Sequence, residues 1–191
     1  MSNEAASNHA ATKQMATPKT ALGSTQDASR YGKLGTTPDD QSYVAFERRL
    51  PHTKDKVWRA LTDPAELKRW FPEIELEPKP GGKYRIEFGE EGAESTCEGG
   101  PAVLSGTIHR FEPGKILQCG GMCWELEALD EQSCILRFTD VINSTWGPGQ
   151  DPFTNSILGG WHWYMDALER ALLGDKVDRS VPEVDYSKVQ V

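Results

Sequence analysis

The run FERRLPHTKDKVWRALTDPAELKRWFP (Phe46–Pro72) carries the densest local signal in the chain. Pro51 ends a strand, because proline has no N–H to give to a ladder. Thr53 is placed to cap a helix, with Asp55 in its first turn to complement the helix dipole. Val57 and Leu61 share one face of that helix, with Trp58 beside them. At Asp63-Pro64-Ala65-Glu66 the chain restarts. Asp63 caps, Pro64 takes the first helical position, and Glu66 can reach back as in a capping box. Leu67, Trp70 and Phe71 recur at i, i+3 and i+4 as an apolar stripe, and Pro72 stops the turn.

Upstream, Ser42 to Leu50 alternates Tyr43, Ala45 and Glu47 against Val44, Phe46 and Arg48, which predicts a strand. Arg30 to Thr36 reads as a short edge strand joined to it by the turn Thr37-Pro38-Asp39-Asp40. Residues 1–29 hold no aromatic residue and no hydrophobic period, so they read as a disordered tail. They are rich in Ser, Thr and Ala, a faint likeness to a transit peptide, but lack the arginines of one. Downstream the period changes to two. Ile74 and Leu76, then Tyr84, Ile86 and Phe88, alternate with charged residues, around a turn at Lys79 to Gly82. Residues 89–101 form a Gly- and Glu-rich loop. Strands are predicted at about 103–111, 115–121, 122–129 and 134–142, with turns at Glu112-Pro113-Gly114 and Asp130 to Ser133, as in an antiparallel meander. After an irregular loop over 143–153, a helix opens at Thr154 or Asn155 and ends before Gly174. Ile157, Trp161, Tyr164, Leu168 and Leu172 form its apolar face. Gly159 and Gly160 cost that helix stability, so they predict a close backbone approach. Residues 175–191 read as a second tail. One domain over 30–174 is therefore expected.

The chain has 191 residues and a net charge of −8, which excludes a protein that binds nucleic acid through a broad basic face. No apolar run is long enough to span a membrane. Cys97, Cys119, Cys123 and Cys134 show no CxxC spacing, and three of them fall in predicted strands, where a thiol behaves as a small hydrophobe. A reduced, cytoplasmic protein is the simplest expectation from these cysteines.

Strands, two short helices, an antiparallel run and one long helix make an α+β pattern. In it, FERRLPHTKDKVWRALTDPAELKRWFP resembles the opening of the family of homologues of the activator of the heat-shock-protein-90 ATPase, within the START-like (SRPBCC) superfamily. GTIHRFEPGKIL and GWHWYMDALERALLG are similar to that family's mid-sheet and final-helix segments. The resemblance implies a helix-grip fold, a curved antiparallel sheet wrapped around a long C-terminal helix with a cavity between them. It does not imply one activity: members include ligand binders, cyclase-like enzymes, proteins that sequester a compound, and chaperone-ATPase stimulators. The chaperone activators carry a further N-terminal domain, which residues 1–29 do not supply.

Trp70, Tyr84, Phe88, Trp124, Phe138, Trp161 and Tyr164 lie on the predicted inward faces. They suit a hydrophobic or amphipathic small molecule, and equally an ordinary filled core. Asp140 shares strand parity with Leu136 and Phe138. It is an acid–base candidate if it faces inward, or an exposed carboxylate at a strand end. His162, between Trp161 and Trp163, is the second acid–base candidate, and would matter most if it met Asp140. The plainer alternative is a partly exposed helix histidine. His52, His109, Cys119 and Cys123 lack metal-ligand spacing, and no phosphate or dinucleotide loop occurs, so neither metal nor cofactor is expected. Arg48, Arg49, Lys54, Lys56, Arg59, Lys68 and Arg69 surround the opening run. They suit a solvated face or a docking surface for an acidic protein, a chaperone among them. Three functions are thus carried forward, in order: small-molecule binding, a cyclase- or lyase-type enzyme in the same cavity, and a co-chaperone.

Overall fold

A computed structural model describes residues 28–88, 103–142 and 154–177. The loops predicted at 89–101 and 143–153, most of both predicted tails and Cys97 lie outside these residues. A single 3-10 turn (Ala28–Tyr31) leads into β1 (Lys33–Thr36) and β2 (Ser42–Leu50). Then come α1 (Lys54–Thr62), α2 (Pro64–Leu67), β3 (Glu73–Leu76), β4 (Lys83–Glu87), β5 (Val103–Glu112), β6 (Ile116–Cys119), β7 (Met122–Ala128), β8 (Cys134–Val141) and α3 (Thr154–Leu173). The strands form one open eight-stranded sheet in the order β1-β2-β8-β7-β6-β5-β4-β3, antiparallel at every junction. This is the expected α+β helix-grip architecture, with a curved sheet and α3 across its inner face.

Local chemistry sets the early elements. Thr53 Oγ1 accepts from Lys56 N at 3.3 Å, and Asp63 Oδ1 accepts from Ala65 N at 2.8 Å, so each short helix has a side-chain cap. Trp70 Nε1 donates to the carbonyl of Ala60 at 2.9 Å, which locks α1 against the turn after α2 and satisfies the indole inside the core. The sheet's inner face is apolar along alternate positions: Val44 and Phe46 on β2, Met122, Trp124 and Leu126 on β7, and Cys134, Leu136 and Phe138 on β8 are all buried. Ala128, expected on the same face of β7, is exposed where that strand reaches its end.

Three expectations are corrected. An added Cβ at Gly160 meets nothing within 4 Å, so no close backbone approach explains that glycine. Val177, read as tail, packs against the core. Arg48, read as part of a basic surface, is only 2 % exposed. Strand parity had put it beside Val44 and Phe46, and burial followed parity rather than charge. Its Nε lies 3.0 Å from Glu169 Oε1 on α3. Arg30 pairs with Asp166 and Glu169 at 3.0 Å each, so both bases tie the first strands to one flank of α3.

Candidate functional site

Trp70, Tyr84, Trp124, Phe138 and Trp161, expected to face inward, are buried, and all but Tyr84 meet ring to ring. Ring centroids of Trp124 and Phe138 are 4.1 Å apart, of Phe138 and Trp161 4.2 Å, and of Trp70 and Trp124 6.0 Å. Phe71 stacks on Trp161 at 6.1 Å. The interior between sheet and helices is therefore largely filled by rings. What remains at the Trp70–Met122 end is a void of about 20 Å³ bordered by Leu67, Trp70, Ile74, Ile86, Met122 and Trp124, room for about one water. The edge of the cluster is more open. Phe88 and Tyr164, 6.3 Å apart, are half-buried, as are Ile142, Ile157 and Trp163. Leu158 and Met165 also enter the core from α3. Both lie one position beyond a residue of the predicted stripe, so the contact face is wider than a single stripe.

Asp140 belongs to this inner wall. Its Oδ2 accepts from Trp161 Nε1 at 2.9 Å. β8 continues only to Val141, so the position is near a strand end, but the carboxyl turns inward, which strand parity alone left open. Loss of hydration pushes its pKa up to about 6, and the Trp161 N–H, which favours the charged form, offsets part of that rise. Opposite it the chain turns through Gly120 and Gly121. A Cβ at Gly121 would stand 2.9 Å from Asp140 Oδ1 and collide with the Val141 carbonyl. One at Gly120, where φ is +59°, would stand 2.5 Å from the Tyr84 hydroxyl. Only glycine leaves room there for both polar groups. Tyr84 and Cys119 complete the surroundings. Burial, then the neighbouring Asp140, pushes the Cys119 thiol up to about 12. Burial also raises the Tyr84 phenol. Both are neutral near pH 7, so Asp140 is the group that titrates here. No spacing signal in the sequence ties Gly120 and Gly121 to Asp140.

His162 does not join Asp140. It lies about 100° further round α3 than Trp161. Its Nδ1 is 3.4 Å from Asp166 Oδ2, and its ring packs at a tilt against Tyr31, 5.2 Å between centroids. The expected acid–base pair is therefore not formed. His162 belongs to the flank of α3 that meets Arg30 and Arg48.

The basic cluster around the opening run is also partly consumed. Lys56 Nζ donates to the Leu172 carbonyl at 2.7 Å, and Arg69 donates to the Ala171 carbonyl at 3.1 Å, so both satisfy the open C-terminal end of α3. Arg69 also holds Glu66, and Lys68 lies 3.7 Å from Glu73. An open groove of about 210 Å³ runs between these residues and Leu173. Cys119, Cys123 and Cys134 are free thiols. No group of three or more potential metal ligands occurs among the described residues, and no helix among them is long and apolar enough to cross a membrane.

The model of the "Activator of Hsp90 ATPase homolog 1-like protein" family matches residues 51–172. The chain belongs to this family. Solved structures agree on the fold. A conserved protein of unknown function from Enterococcus faecalis is similar with a TM-score of 0.57 and 16 % identity, over 83 % of this chain and 85 % of that one. CalU16 from Micromonospora echinospora is similar with a TM-score of 0.53 and 22 % identity, over 74 % of this chain and 84 % of its own. DynU16, a protein in the dynemicin biosynthetic locus, is similar with a TM-score of 0.54 and 22 % identity, over 73 % of this chain, which spans 49 % of DynU16. No curated protein matches the chain. The family match begins at residue 51, so β1, β2 and the turn before them lie upstream of the matched span.

Proposed function

We propose that this chain binds a hydrophobic or amphipathic small molecule against the aromatic wall between the sheet and α3. The observation that carries this reading is the inward carboxyl of Asp140, held by Trp161 within an otherwise apolar wall. A structural core has little use for a lone carboxylate, whose desolvation costs stability. A ligand site uses a few placed polar groups in an apolar lining to orient its guest. The rings of the described residues already pack together, so a ligand enters from the half-buried edge at Phe88 and Tyr164. The placement of a structural neighbour in a biosynthetic locus suits the same reading.

Enzymatic turnover is the second reading, favoured by a carboxyl that titrates at about pH 6. It would rest on Asp140 without His162. The co-chaperone reading is left with the groove beside Lys56, Arg59 and Arg69, where two of the three bases already hold α3.

The test uses Nile red, a neutral apolar dye whose emission rises on leaving water. The protein should bind it saturably, and Tyr164→Ala and Phe88→Ala should each weaken binding several-fold while circular dichroism stays native. No saturable enhancement, together with no apolar compound retained in native mass spectrometry, would overturn the proposal.

A further inference from the structure

Resting on that binding reading, the geometry points to a ligand class: an amphipathic amine, whose ammonium group pairs with Asp140 while its apolar body lies on the rings. Three observations lead to it.

The first is the sign of the site. Asp140 is the acidic group among the rings of the inner wall, and no basic side chain among the described residues pairs with it. The buried base, Arg48, is held by Glu169 at 3.0 Å on a different flank of α3. A carboxylate that lacks an internal cation is complemented by a cation brought from outside, whereas an acidic ligand would place two like charges together.

The second is the material around the carboxyl. Trp161 bonds it, Phe138 precedes it on the same strand face, and the Tyr84 hydroxyl lies over the adjoining Gly120. Aromatic faces attract cations through the ring quadrupole, most strongly when water is excluded, and the indole is the best of them. A carboxylate flanked by such rings therefore favours an ammonium twice over, by charge pairing and by the rings.

The third is that the neighbouring titratable groups do not interfere. Tyr84 on β4 and Cys119 on β6 are both held in their neutral forms, and Trp161, which faces Asp140 from α3, does not titrate. Among the described residues around it, the site charge between pH 5 and pH 8 thus follows Asp140. The carboxylate form prevails at the alkaline end and the neutral acid at the other.

The experiment compares three probes of one size, 1-naphthylmethylamine, 1-methylnaphthalene and 1-naphthoate, by displacement of bound Nile red at pH 8 and pH 5. At pH 8 the amine should displace the dye at a concentration at least tenfold lower than either of the others. That advantage should vanish at pH 5 and in Asp140→Asn, which keeps an oxygen to accept from Trp161. If the neutral or acidic probe displaces the dye as well as the amine at pH 8, the amine assignment is wrong while the binding reading stands. If the dye binds and none of the three displaces it, the assignment is also wrong. If the dye itself never binds, both fall together. Should Asp140→Asn not fold, the two pH values on the natural chain still decide the outcome.

Discussion

Asp140 sets the residue-scale behaviour. Its folded pKa of about 6 lies above the usual aspartate value of 3.8, so the folded state holds its proton more tightly than the unfolded chain. Stability from this group is therefore fully present below the unfolded value and is lost as pH rises through about 6. Near pH 8 the half-buried charge is a cost, on the order of 1–3 kcal/mol. Asp140→Asn should raise the melting temperature at pH 8 and leave it nearly unchanged at pH 4. Differential scanning calorimetry at the two values checks this. A variant less stable than the natural chain at pH 8 would show that Asp140 is tied by interactions stronger than the Trp161 bond. This residue was only half legible beforehand. Alternation along β8 put it on the same face as Phe138, but parity does not say whether a position near a strand end meets water. The indole of Trp161, brought from another element, settles its orientation.

At the scale of elements, the helices at the start were the most legible part. Thr53, Asp63 and Pro64 act within a few residues of themselves, and such caps depend little on the rest of the chain. The ion pairs that fix the flank of α3 were not legible. The Arg48 side chain lies on the inner face of β2, and Glu169, 121 positions later, is its partner at 3.0 Å. Removing the acid from a buried pair leaves an uncompensated charge and typically costs about 3 kcal/mol. Removing an exposed partner costs under about 1 kcal/mol. Glu169→Ala should thus destabilise the protein by roughly 2–3 kcal/mol in urea titrations. Arg30→Ala, whose side chain is 44 % exposed, should cost far less. Equal effects would mean that Asp166, 3.8 Å from Arg48, holds the buried base by itself.

For the whole molecule, two titrating groups pull against each other. Burial lowers the His162 pKa, with Arg48 and Arg30 acting in the same direction and Asp166 against them. The folded state thus favours neutral His162, and the stability it contributes is present above the ordinary histidine range and is lost as pH falls through the folded value. Asp140 has the opposite slope over an overlapping range. His162→Gln should flatten the acid loss, so its stability relative to the natural chain should improve steadily from pH 8 to pH 5. An unchanged profile would show that the ring contact with Tyr31, rather than ionisation, is what His162 contributes.

The fold follows from patterns that act over short range: alternation along each strand, caps and prolines between them, and the apolar face of α3. Each is a local preference of the backbone or a burial period, so the order of residues was enough to establish the sheet, the helices and their sequence. Three features needed the folded chain. Among the described residues the rings pack against one another across the interior, His162 faces Asp166 rather than Asp140, and Arg48 is buried. The rings and Arg48 meet partners on elements far apart in sequence, and the flank that His162 shares with Asp166, one turn along α3, is turned away from Asp140 by the way that helix docks. Packing and charge pairing act on distance in space, and no spacing along the chain encodes which ring or which carboxylate will arrive opposite.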